Sequence, residues 1–213
     1  MDARSVERVY DRYARIYDRV FGGVFEPGRA AALGGLQLRP GDSVLEVGIG
    51  TGLCLARYPH GCRVVGIDVS HGMLQRAARQ VRVRGLRNVE LLRMDAQAMA
   101  FQDNSFDVVV AAYVMTVIPD CKRALSEMAR VCRPGGQMLI INHFTNGNRL
   151  VRAFERAVSP ICERLGWRSD LGVDDLLAGA PVELVRETRI APLGMWYLLE
   201  CVNAKAGAQG CAA

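Results

Sequence analysis

The sequence predicts an α/β protein built as one domain, a mostly parallel sheet with helices packed on both of its faces. Three features carry that expectation. The stretch Val44-Leu-Glu-Val-Gly-Ile-Gly-Thr-Gly52 reads as a strand, a tight turn and a helix start, with Gly48, Gly50 and Gly52 where a Cβ would obstruct the bend and keep a ligand off the main chain. Further along, short apolar runs alternate with amphipathic segments of helical period. The run 106–112 is almost wholly Val and Ala, as a strand covered on both faces should be. A chain of 213 residues, half of them hydrophobic, buries a full core without a second domain.

Taken in order, residues 5–25 carry apolar side chains at helical steps with Arg4, Arg8, Arg12, Arg15 and Arg19 on a neighbouring face, which predicts an amphipathic helix over 4–25, broken near Gly22 and Gly23. A second helix is expected over 27–38, ended by Arg39-Pro-Gly-Asp42. The first strand follows from 43, then a helix over 53–58, a buried strand over 63–67 closed by Asp68, and a helix over 70–84 with Met73, Leu74 and Ala77 inward. Strands are expected at 89–93 and 106–112, a helix at 120–131, a turn at Arg133-Pro-Gly-Gly136 and a strand at 138–142. Residues 144–181 exceed an ordinary connection and suit a cap over the site, and 182–190 with 195–202 form a terminal hairpin.

The glycine spacing selects the ligand. A dinucleotide site would place its third glycine at 53, where this chain has Leu53, and would favour positive charge beside the phosphates. Here Glu46 precedes the turn, so a carboxylate is expected to face the pocket, and a cationic or zwitterionic nucleoside fits better than a pyrophosphate. Asp68, at the end of the second strand, is placed to accept hydrogen bonds from ribose hydroxyls; a helix N-cap is its other reading, although Ser70 could take that duty.

With Glu46-x-Gly48-x-Gly50-x-Gly52, the chain resembles the Rossmann-like S-adenosylmethionine-dependent methyltransferases, from about Tyr10 to Val202, and within them the bacterial phospholipid N-methyltransferases that convert phosphatidylethanolamine to phosphatidylcholine. The resemblance implies a seven-stranded sheet with a C-terminal antiparallel hairpin and S-adenosylmethionine as cofactor. It implies cofactor contacts at Tyr17, Glu46, Gly48, Gly50, Gly52, Asp68, Val69, Met73, Asp95, Ala96 and Ala112, with Asp95 holding the adenine amine. Residues 113–119 would face the acceptor; Ala-Ala-Tyr-Val-Met stands there, not the Asn-Pro-Pro-Tyr signature of nucleic-acid amino-methylation.

Methyl transfer to an amine requires a neutral nitrogen held in line with the sulfonium methyl. His143, at the C-terminal end of the fifth strand, is the candidate base or orienting group, with Tyr17 and Tyr13 as further catalytic candidates; a hydrogen-bonded structural histidine is the alternative. Substrate contacts are expected from Tyr10, Tyr113, Asn142, Arg149, Arg152 and Trp196, the arginines for a phosphodiester. Aromatic faces suit the methylated ammonium products, and Tyr10, Tyr13, Tyr17, Tyr113, Trp196 and Tyr197 are the pool.

The net charge of +5 suits an anionic surface without naming one. Seven cysteines, with no CxxC pair and no zinc spacing, read as reduced cytosolic thiols, and no metal is expected. Neither a secretory signal nor an apolar run of membrane-spanning length is visible, so membrane contact is expected to be peripheral, at the inner face of the cell membrane through helix 4–25. A phospholipid substrate, no nucleic acid and a monomer are expected. Two rivals stand beside this reading: a quinone-ring C-methyltransferase, and a non-catalytic cofactor- or RNA-binding protein.

Overall fold

The structure is a computed structural model that describes residues 23, 25–145, 171–190 and 196–205. Most of the expected helix 4–25 and of the expected cap 144–181 therefore lies outside the described residues, and so do Tyr10, Tyr13, Tyr17, Arg149 and Arg152.

Seven strands form one sheet: β1 (Ser43–Val47), β2 (Arg63–Asp68), β3 (Val89–Arg93), β4 (Phe106–Ala112), β5 (Cys132–His143), β6 (Val182–Ile190) and β7 (Trp196–Asn203). They are ordered β3-β2-β1-β4-β5-β7-β6. The β1–β5 pairings are parallel, whereas β7 runs antiparallel to both β5 and β6. This is the seven-stranded sheet with a terminal hairpin that the resemblance implied. The chain leaves β1 toward β2 and β3 on one side and returns to β4 on the other, so a crevice opens at the C-terminal ends of β1 and β4.

Four helices cover the sheet among the described residues: α1 (Glu26–Gly34), α2 (His71–Arg84), α3 (Cys121–Val131) and the short α4 (Val173–Leu177). One face packs Leu45, Val47, Val109 and Ile140 against Leu125, Met128 and Leu176 of α3 and α4; the other packs Val44, Val110, Leu139 and Ile141 with Ala32 and Leu33 of α1 and Leu74 of α2. Strand alternation makes the division, since successive residues point to opposite faces. α2 starts where Ser70 caps it, its hydroxyl accepting from the Met73 N–H at 3.1 Å, and stops at left-handed Gly85.

Three boundaries differ from expectation. The helix expected over 53–58 is only a 3-10 turn, Leu55–Arg57, because Pro59 forces Tyr58 into an extended conformation with ψ 133°. The helix expected to reach 38 ends at Gly34, where a second glycine follows and the Gly35 N–H closes onto Ala31 and Ala32 carbonyls. The turn at 133–136 lies inside β5, as an irregularity where pairing slips between Phe106 and Val108. Asn203 secures this corner: buried at the end of β7, it donates to the carbonyls of Ala129, Cys132 and Arg133 at 2.9, 2.7 and 3.2 Å.

Candidate active site

The crevice at the β1–β4 switch holds a cleft of about 750 Å³, open mouth included, a size suited to a nucleoside. Its wall follows from the local sequence. After β1 the chain bends through left-handed Gly48 (φ 67°) and Gly50 (φ 57°). A Cβ on Gly48 would overlap Val114, whose own Cβ would lie 2.7 Å away, so the missing side chain is what lets the β4 loop close on the turn. A Cβ on Gly50 would meet nothing within 4 Å, and the main chain is bare there toward open space.

Asp68 ties this bend to the neighbouring strand. One carboxylate oxygen accepts from the Gly50 N–H and the other from the Ser70 N–H, both at 2.9 Å. An ionised carboxylate is acceptor-only, of the kind that ligand hydroxyls donate to. Asp95 stands at the end of β3, where one of its oxygens accepts from the Gln97 N–H at 2.9 Å and both from the Gln97 amide, at 3.0 and 3.1 Å. The Gln97 side-chain oxygen in turn accepts from the Asp120 N–H at 3.0 Å, so the first turn of α3 is fixed to the loop after β3. Between the two acids the wall is apolar: Ile67, Met73, Met94, Ala96, Val117 and Ile118. Two carboxylate acceptors at the ends of an apolar slot, with a side-chain-free bend between strands, fit the hydroxyls, exocyclic amine and flat base of an adenosine.

Of the expected cofactor residues, Gly48, Gly50, Asp68, Val69, Met73, Asp95, Ala96 and Ala112 line this cleft, and Tyr113 lines it too. Glu46 does not, which corrects the expectation that its carboxylate faces the pocket. It shares a sheet face with Val44, is 2% exposed and lies below the turn, facing Cys54, Tyr58 and Arg29. Burial raises its pKa to about 7, against the opposing pull of Cys54, Tyr58 and Arg29. Neither Glu46 Oε2 nor the Tyr58 hydroxyl meets a partner at full hydrogen-bond distance. Gly52 is also outside the wall; a Cβ there would sit 2.8 Å from Leu55 Cδ1 and 3.2 Å from Ala77 Cα, so it serves the packing of α2.

The expected substrate residues divide likewise. Asn142 is 2% exposed and donates to Thr116 Oγ1 at 2.9 Å, an internal bond that links β5 to the β4 loop, so the expected substrate contact is corrected to a structural one. His143 and Trp196 lie outside the cleft wall, opposite one another across the β5–β7 ladder at the same end of the sheet. Tyr113 joins the two regions. It lines the cleft, adopts a left-handed φ of 60°, stacks on Phe25 with centroids 4.3 Å apart and donates its hydroxyl to the Phe25 carbonyl at 3.2 Å. Gln97 and Phe25 were not expected. Gln97 stood in view two residues beyond Asp95, whereas nothing in the sequence pairs Phe25 with a loop 88 positions later.

Comparison with known proteins agrees with this fold. Residues 45–140 match the methyltransferase-domain family. A phosphatidylethanolamine N-methyltransferase of Cereibacter sphaeroides is 43% identical over 200 residues, covering 93% of this chain and 98% of that protein. A demethylmenaquinone methyltransferase of Symbiobacterium thermophilum is 30% identical over 156 residues, covering 69% of this chain and 62% of its own length. Among solved structures, a SAM-dependent methyltransferase from Aquifex aeolicus superposes with a TM-score of 0.64 at 21% identity, over 95% of this chain and 99% of that one.

Proposed function

Since the chain belongs to the S-adenosylmethionine-dependent methyltransferases, we propose that it methylates the amine of phosphatidylethanolamine, in successive transfers toward phosphatidylcholine, at a membrane surface. The observation that carries this reading is the 43% identity to a phosphatidylethanolamine N-methyltransferase along nearly the full length of both chains. S-adenosylmethionine, when bound, supplies an electrophilic methyl group on its sulfonium. Asp68 would accept from the ribose hydroxyls and Asp95 from the adenine amine, while Met73, Ala96 and Ile118 cover the base. The Gly48–Gly50 bend would present bare main chain to the rest of the ligand.

The acceptor side lies beyond Tyr113, where β4 and β5 end and β7 begins. His143 there would take the proton that a protonated headgroup must lose before attack, or orient the amine that has lost it. Tyr13 and Tyr17 would close the site from helix 4–25, and Arg149 and Arg152 would hold the phosphodiester. Among the described residues no helix is long and apolar enough to cross a membrane, so the lipid would be met at the surface, through the arginine-rich face of helix 4–25 at the inner leaflet. The working unit in this reading is a monomer that needs no nucleic acid.

Vesicles of phosphatidylethanolamine and anionic lipid, incubated with methyl-labelled cofactor, test the reading. Label should enter the lipid as mono-, di- and trimethylated headgroups. The similarity to a demethylmenaquinone methyltransferase supports a second reading, C-methylation of a quinone ring. Label in a demethylated quinone and none in lipid would decide for it, and salt-sensitive RNA binding without turnover would sink both.

A further inference from the structure

The proposed acceptor changes character as it reacts: each methyl removes an N–H donor while the positive charge remains, and the final headgroup has no donor at all. A site that holds it through every stage needs aromatic faces more than hydrogen-bond acceptors. Of the aromatic pool read from the sequence, the described part of the fold separates the members. Tyr197 is 4% exposed, meets Phe144 edge-on on one sheet face and lies under the Arg189 guanidinium, 5.4 Å from its ring centre, so it is already committed. Tyr113 and Trp196 are only partly buried and are brought together by a third ring absent from that pool. Phe25 stacks on Tyr113 at 4.3 Å with its plane 21° away and meets Trp196 edge-on at 5.6 Å and 83°.

We propose that Phe25, Tyr113 and Trp196 form the subsite for the acceptor's ammonium group, with a preference for its methylated forms over a neutral group of the same shape. Four observations converge on it. The cluster is continuous with the cofactor cleft, because Tyr113 belongs to both. Its geometry is held at a cost in backbone strain, since Tyr113 is left-handed at φ 60°, a conformation that a large side chain adopts only when its surroundings impose it. Room for the Tyr113 ring is built into α1: a Cβ on Gly28 would overlap its hydroxyl and lie 3.1 Å from Cζ. The three rings are partly exposed at the sheet end that also carries His143, where a headgroup would have to stand. The proposal rests on the reading of the acceptor as an amine that becomes quaternary.

Trp196 can report on the subsite directly. The chain has two tryptophans, so with Trp167→Phe its fluorescence is the only indole signal. Titration with choline should change that signal, and 3,3-dimethylbutan-1-ol, the uncharged isostere, should bind about three- to tenfold more weakly. Phe25→Leu, which keeps apolar bulk and removes the ring, should erase the preference; Phe25→Tyr should keep it. In the vesicle assay Phe25→Leu should slow the second and third transfers more than the first and raise the share of monomethylated lipid, and Trp196→Leu should do the same where Trp196→Phe does not. Equal binding of choline and its isostere, or a uniform slowing of all transfers, overturns the proposal. A choline preference in a protein that leaves phosphatidylethanolamine unmethylated would refute the proposed reaction and uphold the subsite, whereas lipid methylation with no choline preference would do the reverse.

Discussion

Gly48→Ala isolates the contact on which the site is built, and Gly50→Ala is its internal control. Both glycines are left-handed, at φ 67° and 57°, so an alanine at either position bears the backbone penalty, about 1–2 kcal/mol. At Gly50 nothing else is added, because its Cβ would meet no atom within 4 Å. At Gly48 the new Cβ would overlap Val114, and overpacking of that kind adds about 1–3 kcal/mol. The expected loss is thus roughly 2–5 kcal/mol for Gly48→Ala against roughly 1–2 kcal/mol for Gly50→Ala. Urea unfolding measures both, and Val114→Ala completes a double-mutant cycle. In the Gly48→Ala background it should recover the part of the overpacking made by the Val114 methyls, and leave the contact with the Cβ at 2.7 Å and the backbone part. Calorimetric titration with S-adenosylhomocysteine should show the opposite ranking of local damage: Gly50→Ala should lose affinity out of proportion to its small loss of stability, since its new methyl projects into open space beside the cleft. Equal destabilisation by the two alanines, or no recovery on Val114→Ala, would refute the account of the turn.

Asp68→Ala and Asp95→Ala should both weaken S-adenosylhomocysteine binding by tenfold or more, as loss of a charged acceptor costs about 1.5–3 kcal/mol, and both should lower the unfolding midpoint, because Asp68 holds the Gly50 and Ser70 N–H groups and Asp95 holds the Gln97 N–H and side-chain amide. Glu46 should make stability fall with rising pH. Its folded pKa, about 7, lies above the unfolded value of 4.5, so the folded state binds the extra proton between them and unfolding free energy declines across that window, by at most about 1.4 kcal/mol per pH unit. Denaturant titrations from pH 4.5 to 8 on wild type and Glu46→Gln should show this slope in their difference; parallel curves would place the titration elsewhere. Asn203→Ala should cost about 2–4 kcal/mol through the carbonyls it leaves unbonded, with little change in ligand affinity after folding is corrected for, and Asn203→Asp should cost more because a carboxylate would face the same carbonyl oxygens.

The fold was legible because its signals are local. Alternate glycines after an apolar strand can be read without knowing what surrounds them, and so can the Val-rich β4 and the Ser70 cap. The resemblance added the strand count and the hairpin. A neighbour outweighs the pattern at two places: Pro59 shortens the helix after the glycine turn, and Gly34 with Gly35 shortens the one before β1. The site was legible in part for a related reason. Glu46 could be assigned to the face of Val44 by strand parity alone, but only the folded chain shows that Cys54, Tyr58 and Arg29 close over that face and keep the carboxylate from the cleft. Asn142 sits at the rim in sequence order, yet its side chain is buried: the amide N–H groups go to Thr116 and the His143 carbonyl, and Oδ1 meets no hydrogen-bond partner.

The parts of the site depend on one another through the strand reversal. The sheet order brings β4 beside β1, and the parallel register sets Ala111 against Val47, so the loop after β4 must pass the bend after β1. It can pass closely because Gly48 has no side chain, and Val114 fills the space a Cβ would take. One residue earlier the chain is left-handed at Tyr113, whose N–H is held by the Ile141 carbonyl at 2.6 Å and whose ring is carried onto Phe25 at the start of α1. The bare bend that presents main chain to a nucleoside is therefore also what lets the aromatic wall stand beside it. A side chain at Gly48 would push Val114 and Tyr113 together, which couples the cofactor cleft to the proposed ammonium subsite through two adjacent residues of one loop.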